Sequence, residues 1–81
     1  MATRERTLDV TGLKCPLPVV KASRELASME KGQRLVVVST DPASVPDMRG
    51  WEKADPRVVV ERQETREERG STLYVHTLRR S

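Results

Sequence analysis

Cys15 is the only cysteine of the 81-residue chain, and the prolines that follow it place it at the mouth of a predicted helix. Proline is favoured in the first turn of a helix, where its missing N–H is not needed. Either the helix begins at Pro16, with Cys15 as its N-cap, or it begins at Pro18, which holds the residue before it extended. In both cases the sulfur lies at the positive end of the helix dipole. This position and the neighbouring charge of Lys14 favour a thiolate, so we predict a nucleophilic cysteine.

The position three residues after Cys15 is Pro18 and not the second cysteine of a C-x-x-C redox motif. Without a resolving cysteine the chain closes no internal disulfide, so its thiol suits exchange with partner proteins better than dithiol redox chemistry. Prolines also carry no N–H, which leaves few donors for the sulfur and keeps an anionic sulfur nucleophilic. The alternative is a cysteine buried as a small apolar side chain. The position of Cys15 between a polar turn and two prolines argues against burial of its side chain.

Three other residues that could carry chemistry are assigned ordinary roles, which are a surface or packing role for His76 and packing roles for Trp51 and Tyr74. His76 is the only histidine, and nothing in the sequence brings it beside Cys15 to form a catalytic dyad. One cysteine and one histidine make no metal ligand set, so we expect no metal and no cofactor. Trp51 and Tyr74 are the only aromatic residues, and we expect Trp51 to anchor a helix. Two aromatic residues are too few for a stacking surface, so we expect no direct nucleic-acid binding.

The net charge of +3 is distributed unevenly along the chain. Residues 1–40 carry seven Lys or Arg against four Asp or Glu, whereas residues 41–81 carry eight of each. The excess lies in the half that contains Cys15, where Lys21 and Arg24 are candidate docking charges for an acidic partner. An ordinary solvated surface explains these charges equally well.

The apolar runs are too short for a membrane span of ~18 residues, and the charged N-terminus leads into no signal-peptide core. A single free cysteine also suits a reducing compartment. We therefore expect a cytoplasmic protein without membrane contact, and a monomer.

Hydrophobic periodicity predicts four strands and two helices in the order β-α-β-α-β-β. A helix between the first two strands makes them parallel, and a hairpin makes the last two antiparallel. The predicted fold is a single α+β domain over residues 1–81, a two-layer α/β sandwich with a mixed four-stranded sheet and two helices on one face. We expect flexible tails at 1–6 and 79–81. The predicted elements are strands at 7–10, 35–38 (buried on both faces or nearly so), 58–63 and 71–78, helices from Pro16 or Pro18 to about Glu30 and from Val45 or Pro46 to Lys53, and a charged hairpin loop at 65–70.

The segment Gly12-Leu13-Lys14-Cys15-Pro16-Leu17-Pro18, preceded by Leu8-Asp9, resembles the signature of the TusA/SirA-like sulfur carriers. The resemblance extends over nearly the whole chain, including the element order, the Asp41-Pro42 turn and the Pro46-Asp47-Met48 start of the second helix. It implies a carrier whose cysteine, here Cys15, accepts sulfane sulfur as a persulfide. The donor would be a cysteine desulfurase or a rhodanese-like protein. An acceptor protein would then receive the sulfur in tRNA thiolation, cofactor synthesis or sulfur oxidation.

Residues around the cysteine are expected to shape its loop. Asp9 is expected to hydrogen-bond the turn that follows it, as Asp commonly does at turns. The expected loop-shaping residues are Asp9, Gly12, Leu13, Lys14, Pro16 and Pro18.

One segment departs from the family pattern. The chain runs Ala54-Asp55-Pro56-Arg57 where the family often has Gly-His, and this difference bears on the choice of partner. The rival interpretation is a non-enzymatic nucleic-acid- or protein-binding module in which Cys15 is incidental.

Overall fold

Four strands form one mixed sheet in the computed structural model, which describes residues 5–81. The elements are β1 (Glu5–Asp9), α1 (Leu17–Ala27), β2 (Arg34–Ser39), α2 (Ser44–Ala54), β3 (Val58–Glu68) and β4 (Ser71–Arg80). The strand order is β1-β2-β4-β3, with β1 parallel to β2 and with β4 antiparallel to both β2 and β3. The predicted α+β fold and its element order are confirmed.

The two helices pack on the same face of the sheet and cover one hydrophobic core. On α1, Ala22 and Leu26 are both buried because residues four apart share a helix face. On β2, Leu35 and Val37 are buried and Val36 between them is half-buried, since successive side chains of a strand point to opposite faces. This strand is therefore buried on one face and half-covered on the other, not buried on both.

The first and last strands of the chain reach further toward its ends than predicted. β1 begins at Glu5 and β4 runs to Arg80. The parts of the predicted tails at 5–6 and 79–80 are therefore strand residues. Of the remaining tail residues, Ser81 donates its backbone N–H to the carbonyl of Arg57 at 2.8 Å, and residues 1–4 lie outside the described part of the chain.

β3 and β4 form a hairpin that extends beyond the rest of the sheet. The last residue of β2, Ser39, pairs with Tyr74, so the hairpin beyond Tyr74 has no third strand beside it. The chain turns at Arg69 and Gly70, which both have positive φ, as in the two-residue turns that match the twist of paired strands. The prediction of a loop over 65–70 was wrong, because the charged residues of this segment pair in register with β4.

Candidate functional site

The loop between β1 and α1 carries Cys15, and two hydrogen bonds from its backbone N–H groups to side chains fix its first half. The N–H of Thr11 donates to Asp9 Oδ1 at 2.9 Å, which is the hydrogen bond expected of Asp at this turn. This bond keeps the pKa of Asp9 below its ordinary value. The N–H of Gly12 donates to Thr40 Oγ1 at 2.8 Å. Gly12 has a φ of 81°, a conformation that glycine adopts without strain. The loop is thereby attached to the end of β2.

Cys15 is exposed to solvent just before the start of α1. The helix begins at Leu17, with Pro16 in the N-cap position and Pro18 buried in the first turn. Both predicted starts were therefore wrong by one residue, and Cys15 is not the N-cap. The peptide bond between Cys15 and Pro16 is cis. The exposure of Cys15 excludes the alternative of a cysteine buried as a small apolar side chain.

Asp41 connects the Cys15 loop to the turn between β2 and α2. Its Oδ2 accepts a hydrogen bond from the backbone N–H of Cys15 at 2.8 Å, and its Oδ1 accepts one from the N–H of Ala43 at 3.0 Å. Its own N–H donates to Ser39 Oγ at 3.0 Å. Asp41 thus fixes the backbone of Cys15 relative to α2. From the sequence, Asp41 was predicted only to lie in a turn. The available signal was an Asp at the end of a strand, whose carboxylate is free to accept from a neighbouring loop.

Asp47, in the first turn of α2, faces the thiol of Cys15 and raises its pKa. The largest cause is the hydrogen bond between the thiol and the Asp47 carboxylate. Desolvation and the negative charges of Asp47 and Asp41 act in the same direction. The site therefore favours the protonated thiol over the thiolate. The prediction that the helix dipole and Lys14 favour a thiolate was wrong, because the second half of the chain brings two carboxylates to the sulfur.

The predicted docking residues Lys21 and Arg24 do not line the same groove as the loop that carries Cys15. Lys14 lines a shallow groove of about 230 Å³ together with Leu13 and Asp41. Lys21 and Arg24 line a second groove of about 240 Å³, beside β1. The structure thus brings Lys21 and Arg24 together, but apart from the groove that Lys14 lines.

Two large apolar side chains on α1 are exposed close to the thiol in sequence. Leu17 is 45% exposed and Val20 is 37% exposed, and neither residue was predicted from the sequence to have a functional role. Leu17 and Lys21 are four residues apart and so share a face of the helix. The outer surface of α1 that begins two residues after Cys15 is therefore both apolar and basic.

His76 is buried on the helix-covered face of the sheet. Its Nε2 lies 2.9 Å from Ser44 Oγ, and its Nδ1 lies 3.2 Å from Gln63 Nε2. Burial lowers the pKa of His76 to about 4, so the ring is neutral at physiological pH. Both nitrogens are engaged by these neighbours, so His76 forms no dyad with Cys15 and has a packing role, as predicted.

Asp55 organises the connection between α2 and β3, where the sequence departs from the family pattern. Its carboxylate accepts hydrogen bonds from Trp51 Nε1 at 3.2 Å and from the N–H of Arg57 at 2.9 Å, and it pairs with the Arg57 guanidinium at 2.8 Å. The side-chain hydrogen bond from Arg57 is the main reason that the pKa of Asp55 lies well below its usual range. Trp51 packs against the core, in the anchoring role predicted for it.

Within residues 5–81, no three His, Cys, Asp or Glu side chains come together as a metal site. No helix of this described part is long and apolar enough to cross a membrane. The expectation that the protein uses no cofactor stays a prediction.

Comparison with known proteins gives a consistent result. A family model described as Sulfurtransferase TusA matches residues 6–76. Sulfur carrier protein TusA of Allochromatium vinosum is 41% identical over 64 residues, which are 79% of this chain and 84% of that protein. A protein of Aquifex aeolicus, whose sulfur-carrier name is itself provisional, is 46% identical over 56 residues, which are 69% of this chain but only 28% of that protein. A crystal structure of a SirA-like protein from Desulfitobacterium hafniense matches with a TM-score of 0.65 at 22% identity, over 93% of this chain and 96% of that one. The structural match confirms the fold, and the family match includes the whole Cys15 loop.

Proposed function

We propose that this chain, which belongs to the sulfurtransferase TusA family, accepts sulfane sulfur as a persulfide on Cys15 and transfers it to an acceptor protein. The observation that carries the proposal is the exposed thiol of Cys15. Its loop is fixed by the hydrogen bond from the backbone N–H of Cys15 to the Asp41 carboxylate. An exposed thiol can reach a persulfide on another protein. Since the chain has no second cysteine, the sulfur that it takes up is not lost through an internal disulfide.

Loading and unloading are two thiol exchange reactions. In loading, the Cys15 sulfur loses its proton and attacks the outer sulfur of the donor's persulfide. A new S–S bond forms on Cys15, the S–S bond of the donor breaks, and the donor leaves as a thiolate. In unloading, an acceptor thiolate attacks the same outer sulfur, and the electron pair of the broken bond leaves with the Cys15 sulfur, which takes up a proton. No oxidant or reductant is consumed.

Asp47 is expected to distinguish the empty carrier from the loaded one. Its carboxylate raises the pKa of the Cys15 thiol, so the empty carrier rests in the protonated form. A persulfide is intrinsically more acidic than a thiol, so the loaded carrier ionises more readily in the same surroundings. The empty carrier is therefore the less reactive of the two until a donor draws off the proton.

The partners are proposed to be proteins. The donor is a cysteine desulfurase or a rhodanese-like protein, and the acceptor belongs to tRNA thiolation, cofactor synthesis or sulfur oxidation, all in the cytoplasm. The exposed face of α1 supports protein docking, because apolar Leu17 and Val20 lie on the same helix as basic Lys21 and Arg24.

The mass of the intact protein tests the proposal. The chain is incubated with a cysteine desulfurase and cysteine, or with a rhodanese and thiosulfate, and its mass is then measured. We expect a gain of one sulfur atom that a reducing agent removes, and no gain in Cys15→Ser. If no donor adds sulfur to the wild type, or if Cys15→Ser gains as much, the proposal is wrong and the rival binding module is favoured.

A further inference from the structure

β3 is an edge strand whose outer half lies away from the body of the protein. The sheet order places β3 beside β4 alone. Since β2 ends opposite Tyr74, which pairs with Thr65 of β3, the part of β3 from Arg66 to Glu68 pairs with a segment of β4 that no other strand flanks. The side chains of residues 65–68 are exposed. The outer half of this edge is therefore accessible to another strand.

The two halves of the β3 edge differ in how their backbone groups are bonded. In the first half, the N–H of Val60 donates to Glu52 Oε2 at 2.8 Å, so α2 occupies that part of the edge. A register shift follows between Val60 and Arg62. Beyond it, the hydrogen bonds found within residues 5–81 join the backbone of 62–68 only to β4. Unpaired backbone groups on a sheet edge are a template for a further strand.

The charges along this half of β3 are opposite in sign at equal distances from Thr65. Arg62 lies three residues before Thr65 and Glu68 lies three after it, while Glu64 and Arg66 flank it directly. In an antiparallel pair of two copies centred on Thr65, Arg62 stands opposite Glu68 of the second copy, and Glu64 stands opposite Arg66 of the second copy. Two-fold symmetry doubles both contacts, and opposite charges in directly opposed positions stabilise strand pairs.

Neighbouring registers lack this complementarity. An antiparallel ladder repeats every two residues, so the nearest equivalent centres are one residue to either side of Thr65. Centring on Glu64 places Arg62 opposite Arg66 and Glu64 opposite its own copy. Centring on Arg66 places Glu64 opposite Glu68 and Arg66 opposite its own copy. Like charges directly opposite destabilise a strand pair, so the charge pattern selects the register centred on Thr65.

We propose that two copies of this chain associate edge to edge by antiparallel pairing of their β3 strands, centred on Thr65. The pairing extends the four-stranded sheet of each copy into one sheet across the two-fold axis. Within one chain, Glu64 already lies 3.5 Å from both Arg62 and Arg66, but these side chains are 69% and 58% exposed and such contacts contribute little. Arg62, Glu64 and Arg66 can therefore exchange these contacts for contacts with a second copy at a small cost in free energy. The proposal replaces the expectation of a monomer, and it does not depend on sulfur transfer.

Charge exchange between Arg62 and Glu68 tests this pairing. Arg62→Glu alone and Glu68→Arg alone each place like charges opposite one another twice, and we expect either change to weaken self-association by roughly tenfold or more. The double variant carrying both changes has the composition of the wild type and restores the opposed charges, so its association is expected to recover. An equimolar mixture of the two single variants is also expected to associate, as a heterodimer, more strongly than either variant alone.

Sedimentation equilibrium at protein concentrations up to about 1 mM and at low and high salt gives the dissociation constants. We expect salt to weaken association of the wild type. A wild type that remains monomeric over this range, or a double variant and a mixture no stronger than the single variants, overturns the proposal. Urea unfolding and sulfur loading of Cys15 serve as controls. Both are expected to be unchanged, so a failure of this pairing is distinguishable from a failure of the proposed function.

Discussion

Acidification from about pH 7 to about pH 5 is expected to weaken the fold, because it protonates His76 in the unfolded chain but not in the folded one. The amide nitrogen of Gln63 donates to the carbonyl of Val45 at 3.0 Å, and its amide oxygen accepts from Arg49 Nε at 2.9 Å. The amide nitrogen therefore also faces His76 Nδ1 as a donor, so Nδ1 accepts and carries no proton. The proton of the neutral ring lies on Nε2 and is donated to Ser44 Oγ. A second proton would have to bind to Nδ1, where it would point at the hydrogens of the Gln63 amide nitrogen.

The expected loss of stability follows from the two pKa values of His76. Burial lowers the pKa from 6.5 to about 4 in the folded protein. Between these values the unfolded chain binds a proton that the folded chain does not, so the stability is complete above the unfolded pKa and falls as the pH decreases toward the folded one. The free energy of unfolding should fall by about 2 kcal/mol between about pH 7 and about pH 5. A chain of this length has a total stability on the order of 4–12 kcal/mol, so this loss is large.

Urea unfolding followed by the fluorescence of Trp51, which packs against the core, measures this loss. His76→Gln is the matched control, because it retains an amide that can hydrogen-bond but cannot titrate. Its stability should change about 2 kcal/mol less than that of the wild type over the same range. The pKa values of Asp55 and Glu61 are also lowered in the folded protein, but these groups protonate in the unfolded chain mainly at lower pH and are common to both proteins. Equal losses in the two proteins would refute the assignment to His76.

Three further substitutions address the cysteine loop and the docking surface. Asp47→Asn is expected to lower the pKa of Cys15, because it removes the negative charge and replaces the carboxylate by a weaker, neutral hydrogen-bond acceptor, and the rate of alkylation by iodoacetamide against pH will show the shift. Asp41→Ala is expected to destabilise the fold by about 1 kcal/mol in urea unfolding, because it leaves two backbone N–H groups without their acceptor. Reversing Lys21 and Arg24 to Glu is expected to slow sulfur transfer to a partner several-fold at low salt, with little change in alkylation of Cys15.

Each of these substitutions has a result that contradicts its reasoning. Asp9→Asn is the matched control for Asp47→Asn, because the Asp9 carboxylate bonds the same loop but does not contribute to the raised pKa of Cys15. An equal change of the Cys15 pKa in both variants, or no change in either, would show that Asp47 is not the cause of the raised pKa. An Asp41→Ala protein as stable as the wild type would show that water replaces the carboxylate. Equal losses of transfer and alkylation in the charge-reversed protein would mean that the charges act on the thiol and not on docking.

The element order could be predicted because apolar periodicity is a local property of the sequence. Ala22 and Leu26 on α1 and Leu35 and Val37 on β2 are buried where the helical and strand repeats place them. The length of β3 could not be predicted in this way. Residues 64–68 are rich in charge and resemble a loop, and they form a strand because β4 pairs with them residue by residue beyond the end of β2.

The position of Cys15 could be predicted from its neighbours, but its acidity could not. Two prolines were enough to place the cysteine close to the start of α1, within one residue of the observed arrangement. The carboxylates that raise its pKa come from Asp41 and Asp47, which reach it through the packing of the β2–α2 segment against the loop. Only the folded chain brings these groups together, so a prediction based on the helix dipole and the neighbouring Lys14 gave the wrong direction.

The raised pKa of Cys15 suits a carrier that must keep its sulfur between partners. An empty carrier with a small thiolate fraction reacts slowly with disulfides of molecules that are not its partners. Under the proposed function, a loaded carrier would also discharge slowly to the thiols of proteins that are not its partners, since exchange is slower when the departing thiol has a higher pKa. Both steps become faster when a positive charge of a partner approaches the sulfur or takes Asp47 away from it. Because Asp47 lies on α2 and Asp41 lies in the turn before it, a partner that contacts the start of α2 would act directly on the reactivity of Cys15. Recognition and activation of the thiol would then take place on the same surface.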